Sequence, residues 1–359
     1  MKVVRTFHPV GQGAFYTEFF HLDKGEQFVV VYDCGTESGV DYIWHQIDEF
    51  KYNHYKHVIT QIDLLFISHF HADHINGLKW LLEDTHVVKT VIPMLDDATI
   101  TLTRVQNYLR FDSDIAQEAD RIIQELYLDG ERTGMFGEVE IVSPSLLDGP
   151  RDDRDERTPM IHKGNERKSG RKLYVDGIWE YIPFNSLERD DFRVKYLRNE
   201  LDNLLQGHLT LSDLIKDRLD DVKKLYRRVM GNANDNLYSL VVVSKPIDGI
   251  EPKPCPRLSH CIYFGDFDYH QKNRPWDRLK RVIKFEKIGT VQVPHHGAKG
   301  SWNPEMGDGD PRHYIISSGS TNGHHHPNYW VLEDIWDKGH RAYVVSEKWM
   351  SERMYEFYL

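Results

Sequence analysis

Apolar residues fall into short unbroken runs near both ends of the chain and into three- and four-residue spacing through its middle. Phe28-Val29-Val30-Val31-Tyr32 reads as a buried β-branched strand that ends in Asp33-Cys34-Gly35-Thr36, where Gly35 supplies a turn. Tyr42 to Phe50 has helical spacing, and Ile62 to Ile67 is a second buried strand. A helix starts at Gly77 to Leu82, and Val87 to Met94 is a third strand. This alternation predicts an α/β fold with its chemistry at the C-terminal ends of strands, where loops converge.

From Thr101 to Gly231 the pattern changes. Asp114 to Leu128, Arg189 to Leu205 and Leu211 to Met230 place apolar residues on one helical face and charges on the other. Between the first two, Arg151 to Lys172 has no apolar period, and its eight lysines and arginines are diluted by five acids, so it is expected to be a solvated linker. Strands return at Leu237 to Val243, Cys261 to Phe264, Thr290 to Val293, Tyr314 to Ile316, Tyr343 to Val345 and Met354 to Tyr358. Helices at Pro275 to Phe285 and Asn328 to Asp337 separate some of them. The expected organisation is a single domain over 1–359, its core drawn from 1–100 and 232–359, with a mainly helical insertion at 101–231.

Composition narrows this reading. A chain of 359 residues, 40% hydrophobic and 12% aromatic, can bury a large core. No stretch approaches the roughly 20 apolar residues of a membrane helix. The opening MKVVRTFHPVGQG lacks a secretory h-region, and three cysteines are too few for a disulfide framework, so a cytoplasmic protein without a membrane partner is expected. The formal charge of −11 argues against a broad basic surface for duplex DNA but leaves room for a local basic groove.

Twenty histidines are more telling, because they cluster. His69, His71, Asp73 and His74 follow the strand at Ile62 to Ile67 directly. Imidazoles flanking one residue in a tight loop can converge on one ion, while Asp73 and His74 face a second point nearby. The mix of nitrogen and oxygen donors suits zinc, manganese or iron. Further donors stand at later strand ends: Asp266, the pair His295 and His296, and His324 to His326. A lone histidine at a strand end is commonly structural; four such clusters in one chain are not.

Ser68-His-Phe-His-Ala-Asp-His74 resembles the HxHxDH signature of metallo-β-lactamase-fold hydrolases. Later motifs resemble the branch that includes the soluble hydrolase domain of the DNA-uptake protein ComEC. These are Val10-Gly11-Gln12-Gly13 with Asp33-Cys34-Gly35, Asn236 to Val241, Phe264-Gly265-Asp266, Pro294-His295-His296-Gly297, and Ser317 to Pro327 with Asn322 and His326-Pro327. The resemblance covers about 5–95 and 232–359. Two departures are Ala298, where serine commonly follows HHG, and His325 in place of a glycine.

The resemblance implies a four-layer αββα sandwich and a two-metal hydrolase holding zinc or manganese. It implies His69, His71 and His296 on one ion and Asp73, His74 and His326 on the other, with Asp266 bridging; His295 is an equal alternative to His296. The HHG histidine that is not a ligand would serve in catalysis. Lys299, Ser301 and Asn322 are candidates for substrate contact, and Asp33 for orienting a ligand histidine. A phosphodiesterase or nuclease acting on DNA is the leading expectation, with Lys223, Lys224, Arg227 and Arg228 as a candidate phosphate edge. A regulatory protein docking on 101–231, in defence against foreign DNA, goes with it. The alternatives are hydrolysis of a small ester (a phosphocholine ester, a cyclic nucleotide or a lactone) and an effector or scaffold active only within a complex.

Overall fold

A computed structural model describes residues 1–52, 58–128, 134–144, 165–187, 192–205, 210–231, 238–269 and 274–359. Its strands are β1 (Lys2–Phe7), β2 (Gly13–His21), β3 (Gln27–Thr36), β4 (Gln61–Phe66), β5 (His86–Pro93), β6 (Glu138–Ser143), β7 (Asn165–Lys168), β8 (Leu173–Val175) and β9 (Trp179–Asn185). They continue as β10 (Leu240–Pro246), β11 (Cys261–Tyr263), β12 (Thr290–Gln292), β13 (His313–Ser317), β14 (Arg341–Val345) and β15 (Arg353–Tyr358). One sheet runs β15-β1-β2-β3-β4-β5-β6-β7, and the other runs β14-β13-β12-β11-β10-β9-β8. β3 to β7 are parallel, as are β11 to β14, while the opening strands and β8 to β10 pair antiparallel.

Strand alternation explains why the apolar runs are unbroken. Val30 and Tyr32 of β3 point into the core between the sheets, together with Leu240 and Val242 of β10. Val29 and Val31 point the opposite way and meet Ile43, Ile47 and Phe50 of α1 (Val40–Tyr52). Val241 and Val243 likewise pack outward with Trp276, Leu279, Val331 and Ile335. A strand covered on both faces needs apolar residues at every position. Three stacked cores give four layers, αββα, which is the expected fold class.

Helices α2 (Ala72–Ile75) and α3 (Leu78–Leu81) are single turns after β4, shorter than the helix expected from Gly77. Then come α4 (Asp97–Arg110), α5 (Ser113–Ile123), α6 (Phe192–Leu204), α7 (Leu211–Met230), α8 (Pro256–Ser259), α9 (Pro275–Val282) and α10 (Tyr329–Asp337). None of the described helices is long and apolar enough to cross a membrane.

The segment 101–231 differs from its expectation. Helices α4 to α7 do share a core, with Leu102 and Val105 against Val194, Leu197, Leu201, Leu214 and Val222. Yet β6 to β9 also lie there and complete both sheets, so the segment is woven through the sandwich rather than inserted beside it. β7 and β8 hid because they are short, and β6 and β9 because they carry charges inside the layers: Glu140 of β6 pairs with Arg167 of β7 and, at 3.3 Å, with Lys89 of β5, and Glu180 of β9 pairs with Lys172 and Lys245. Most of the linker expected at 151–172, the start of the helix at 189–191 and Asn236 and Leu237 fall wholly or partly outside the described residues; 165–168 form β7.

A candidate two-metal centre

The centre is drawn from strand ends and the short turns that follow them: the end of β3, the loop and α2 after β4, and the segments after β11 and β12. Asp33, near the end of β3, adopts a left-handed backbone (φ 55°), and its carboxylate is fully buried. Gly35 follows because a Cβ there would lie 2.6 Å from the Asp73 carbonyl and the Ile75 nitrogen. Only glycine lets the turn at α2 press against β3.

The Asp33 carboxylate organises two histidines at once. Its Oδ1 accepts from the Ser68 amide (2.7 Å) and its Oδ2 from the Ser68 hydroxyl (2.6 Å) and from His74 Nδ1 (2.8 Å). With its proton on Asp33, Ser68 Oγ accepts from His69 Nδ1 at 2.9 Å. His71 Nε2 donates to Gln106 Oε1 (3.0 Å), and His296 Nδ1 donates to the Ser317 carbonyl (3.0 Å). An acceptor on one ring nitrogen fixes the proton there and leaves a lone pair on the other. The opposite atoms, His69 Nε2, His71 Nδ1, His74 Nε2 and His296 Nε2, are buried without a hydrogen-bond partner. Four buried lone pairs aimed at one region are costly unless something electrophilic receives them.

They form two groups of potential ligand atoms: His69, His71 and Asp266, and Asp73, His74 and His296, each within 4.8 Å of one another. Asp266 reaches toward both. Its Oδ2 lies 3.5 Å from His69 Nε2, and its Oδ1 lies 3.3 Å from His74 Nε2 and 3.8 Å from His296 Nε2. Asp73 Oδ2 is 3.3 Å from His296 Nε2. This donor set, imidazole with carboxylate, fits a pair of divalent ions.

Electrostatics agree with the grouping. Burial opposes ionisation of Asp266, but His295, His69 and His74 outweigh it and hold the carboxyl well below its usual range. Asp73 is lowered in the same way, against burial, by His74 and His296. Burial drives His71 down, and it pushes His295 to about 4 and His326 to about 3, so the last two are neutral imidazoles at pH 7.

The structure corrects the expected ligand partition. His296 stands with Asp73 and His74, not with His69 and His71. The cause is the Pro294–Gly297 turn, where His295, His296 and Gly297 have φ of 48°, 54° and 79°, so the adjacent rings diverge by 70°. His295 Nε2 instead faces Asp266 Oδ2 at 3.7 Å, held through Nδ1 by Ser301 Oγ at 3.2 Å. His326 joins neither group; Gln12 Nε2 lies 3.2 Å from its Nδ1.

A cavity of about 410 Å³ opens over the centre, lined by Asp73, Asp266, His295 and His296 together with Gln12, Glu37, Arg110, Phe111, His324 and His326. The three residues expected to touch substrate do not line it. Ser301 is buried against His295, Asn322 braces the His326 amide (2.9 Å) and carbonyl (2.7 Å), and the Lys299 ammonium sits over the Trp330 ring. Lys223, Lys224, Arg227 and Arg228 lie on α7 and do not line it either.

Sequence reasoning missed the part of α4 that grips the ligand loop. Asn107 donates to the Phe70 carbonyl (2.8 Å) and accepts from the Ala72 amide (3.0 Å), beside Gln106 on His71. Tyr238 Oη accepts from the Phe70 amide at 3.2 Å. The available signal was a polar stripe, Thr99, Thr103, Gln106, Asn107 and Arg110, on a helix whose apolar face is already used by Leu102 and Val105.

Replacing Asp33 with alanine removes the acceptor for His74 and the anchor of Ser68 together. Chelator competition is expected to show affinity for two metal ions falling by about 10–100-fold. Unchanged affinity in a folded Asp33→Ala protein would show that the carboxylate does not orient these ligands.

Residues 21–161 match the family model described as the metallo-beta-lactamase superfamily. No curated protein matches the sequence. Among solved structures, the chain is similar to the metallo-beta-lactamase fold protein YhfI from Bacillus subtilis, at 10% identity over 99% of each chain and a TM-score of 0.38. It is also similar to Zn(2+)-bound PqqB from Methylobacterium extorquens (9% identity, 95% of this chain and 97% of that one, TM-score 0.40). A third is the isothiocyanate hydrolase from Delia radicum gut bacteria (9% identity, 99% and 98%, TM-score 0.36). Residues 21–161, which span β3 to β6 and carry His69, His71, Asp73 and His74, are the part of this αββα sandwich that is similar to the metallo-beta-lactamase superfamily.

Proposed function

We propose that this chain is a two-metal hydrolase that cleaves phosphodiesters, with DNA its leading substrate. The observation that carries this reading is Asp266, whose two carboxylate oxygens divide between two clusters of buried imidazoles. His69, His71 and Asp266 would hold one zinc or manganese ion, and Asp73, His74 and His296 the other, with the second oxygen of Asp266 facing the second group. Such ions would supply an activated water and neutralise charge building on the ester oxygens. An anionic phosphorus centre suits that chemistry.

The remaining imidazoles hold protons rather than metal. Gln12 presents its Nε2 amide to His326 Nδ1, which places the His326 proton on Nε2 as a donor. At about 3 and about 4, the pKa values of His326 and His295 are too low for either ring to be charged at pH 7. They orient a non-bridging or leaving oxygen by hydrogen bonding instead of delivering a stored proton. Partner control fits the same scheme: Tyr226 of α7 accepts from Gln106 Nε2 at 3.4 Å, which links a protein docked on α6 and α7 to His71.

The test is cleavage of end-labelled single- and double-stranded DNA with manganese or zinc. Metal-dependent cleavage supports the reading. None, from protein carrying two ions, sinks DNA as substrate. It would favour a small phosphoester, which the 410 Å³ cavity, within the size range of small-molecule sites, also accommodates.

Metal loading is expected to depend on pH with a definite sign. Burial opposes the charged form of His74, but Asp266, Asp73 and Asp33 outweigh it and raise its pKa well above the usual value; His296 is raised in the same way, chiefly by Asp73. A raised pKa means that a proton competes with metal at these rings over a wider pH range than at a free imidazole. Affinity therefore climbs with pH, by roughly tenfold per unit for each proton released. Zinc titrations against a chelator at pH 6 and pH 8 measure the slope; a flat profile would contradict proton competition at these histidines.

A further inference from the structure

The two clusters and the two neutral imidazoles account for the breaking of an ester bond, but none of them selects what flanks that bond. Among the described residues lining the cavity, Arg110 alone carries a permanent positive charge. It ends α4, and Phe111 directly after it lines the same cavity. The helix end cannot drift from the centre, because Gln106 and Asn107, one turn earlier, are bonded to His71, Phe70 and Ala72 of the ligand loop. Arg110 is close enough that its charge lowers the proton affinity of both His71 and His295. A guanidinium offers a planar fork of donors that matches phosphate oxygens in pairs, and a neighbouring ring offers a face on which a base stacks without sequence preference.

We infer that Arg110 and Phe111 form the subsite for the nucleotide next to the scissile bond, the guanidinium taking its phosphate and the ring its base. This rests on the phosphodiesterase reading and adds the specificity that the metal centre lacks. The subsite makes the preferred substrate one with a second anionic group beside the reacting one. A cyclic nucleotide or a neutral lactone has none.

The experiment measures binding of thymidine 3′,5′-bisphosphate, and of thymidine as the uncharged comparator, to full-length manganese-loaded protein by calorimetry. Arg110→Ala is expected to weaken the bisphosphate by on the order of tenfold or more while thymidine changes little. Arg110→Lys should fall between, since it keeps charge but not the fork. Phe111→Ala should weaken both ligands. Metal content is read for each variant, and two ions throughout would exclude a collapsed site. Equal bisphosphate affinity in wild type and Arg110→Ala, or no binding by wild type, overturns the inference. Hydrolysis of bis(p-nitrophenyl) phosphate is measured in parallel. Turnover with Arg110-independent binding sinks the subsite and leaves the phosphodiesterase reading standing. Arg110-dependent binding without turnover of this diester or of DNA sinks that reading and leaves the anion subsite.

Discussion

Asp266→Ala is expected to lower metal-dependent hydrolysis by on the order of 10³-fold or more and to leave protein that retains one tightly bound ion or none. Asp266 is 3% exposed and stands between four imidazoles. No other described carboxylate is placed to serve both groups: Asp73 belongs with His74 and His296 only, and Asp33 is turned away from the cavity and spent on Ser68 and His74. On the proposed assignment, removing the shared acid would strip one ligand from each ion and one negative charge from a site that would hold four positive ones. Losing a single ligand from a structural or catalytic ion already costs occupancy, and here both positions would lose one. Metal content by elemental analysis and the rate on a phosphodiester substrate are read together. Asp266→Asn, which keeps the volume and one neutral oxygen, is expected to fall between alanine and wild type. Two ions retained with a rate within about tenfold of wild type would refute the assignment of Asp266 as the shared ligand.

The placement of Asp266 and of the His69–His74 cluster just after strands was legible in the sequence. β3 announces itself because Val29 to Tyr32 is buried on both faces and has no polar position to blur it, and β4, interrupted after Ile62 only by Asp63, ends just before the His69–His74 cluster. Asp266 follows β11 in the same way. The partition of His295 and His296 was not legible, since it depends on three successive left-handed residues that place adjacent side chains on different sides of the loop. Nor was the grip of α4, because Gln106, Asn107 and Arg110 are ordinary polar residues until the topology brings the helix over the ligand loop. Lys299, Ser301 and Asn322 are near the centre in sequence but turn toward Trp330, His295 and the His326 backbone. Among the strands, β1 and β2 escaped notice because Arg5 and Glu18 interrupt VVRTF and YTEFF at positions that should have been apolar.

Those two interruptions are expected to matter more for stability than any surface charge. Glu18→Ala is expected to destabilise the fold by about 3–5 kcal/mol, and Arg5→Ala by a similar amount. Arg5 and Glu18 are directly opposed in the β1–β2 register and face the core between the sheets, 0% and 2% exposed. Arg5 Nε donates to Glu18 Oε1 at 2.6 Å, and the guanidinium also donates to the carbonyls of Leu258 (3.0 Å) and Ser259 (2.8 Å). From the second sheet, Tyr263 and Ser244 donate to Glu18 at 2.8 Å, and Tyr181 donates to it as well. Burial opposes the charge on Arg5, and Glu18 more than restores it. Alanine at either position leaves the other charge buried with no counter-ion, and at position 18 it also strands two phenols and a hydroxyl. The double variant Arg5→Met with Glu18→Leu removes both charges and refills the space, so it should cost far less than either single change despite the orphaned donors. Urea unfolding of the two single variants and the double variant separates these cases. A Glu18→Ala protein within about 1 kcal/mol of wild type would mean that water reaches the pair and that the sheets are joined by apolar contact alone.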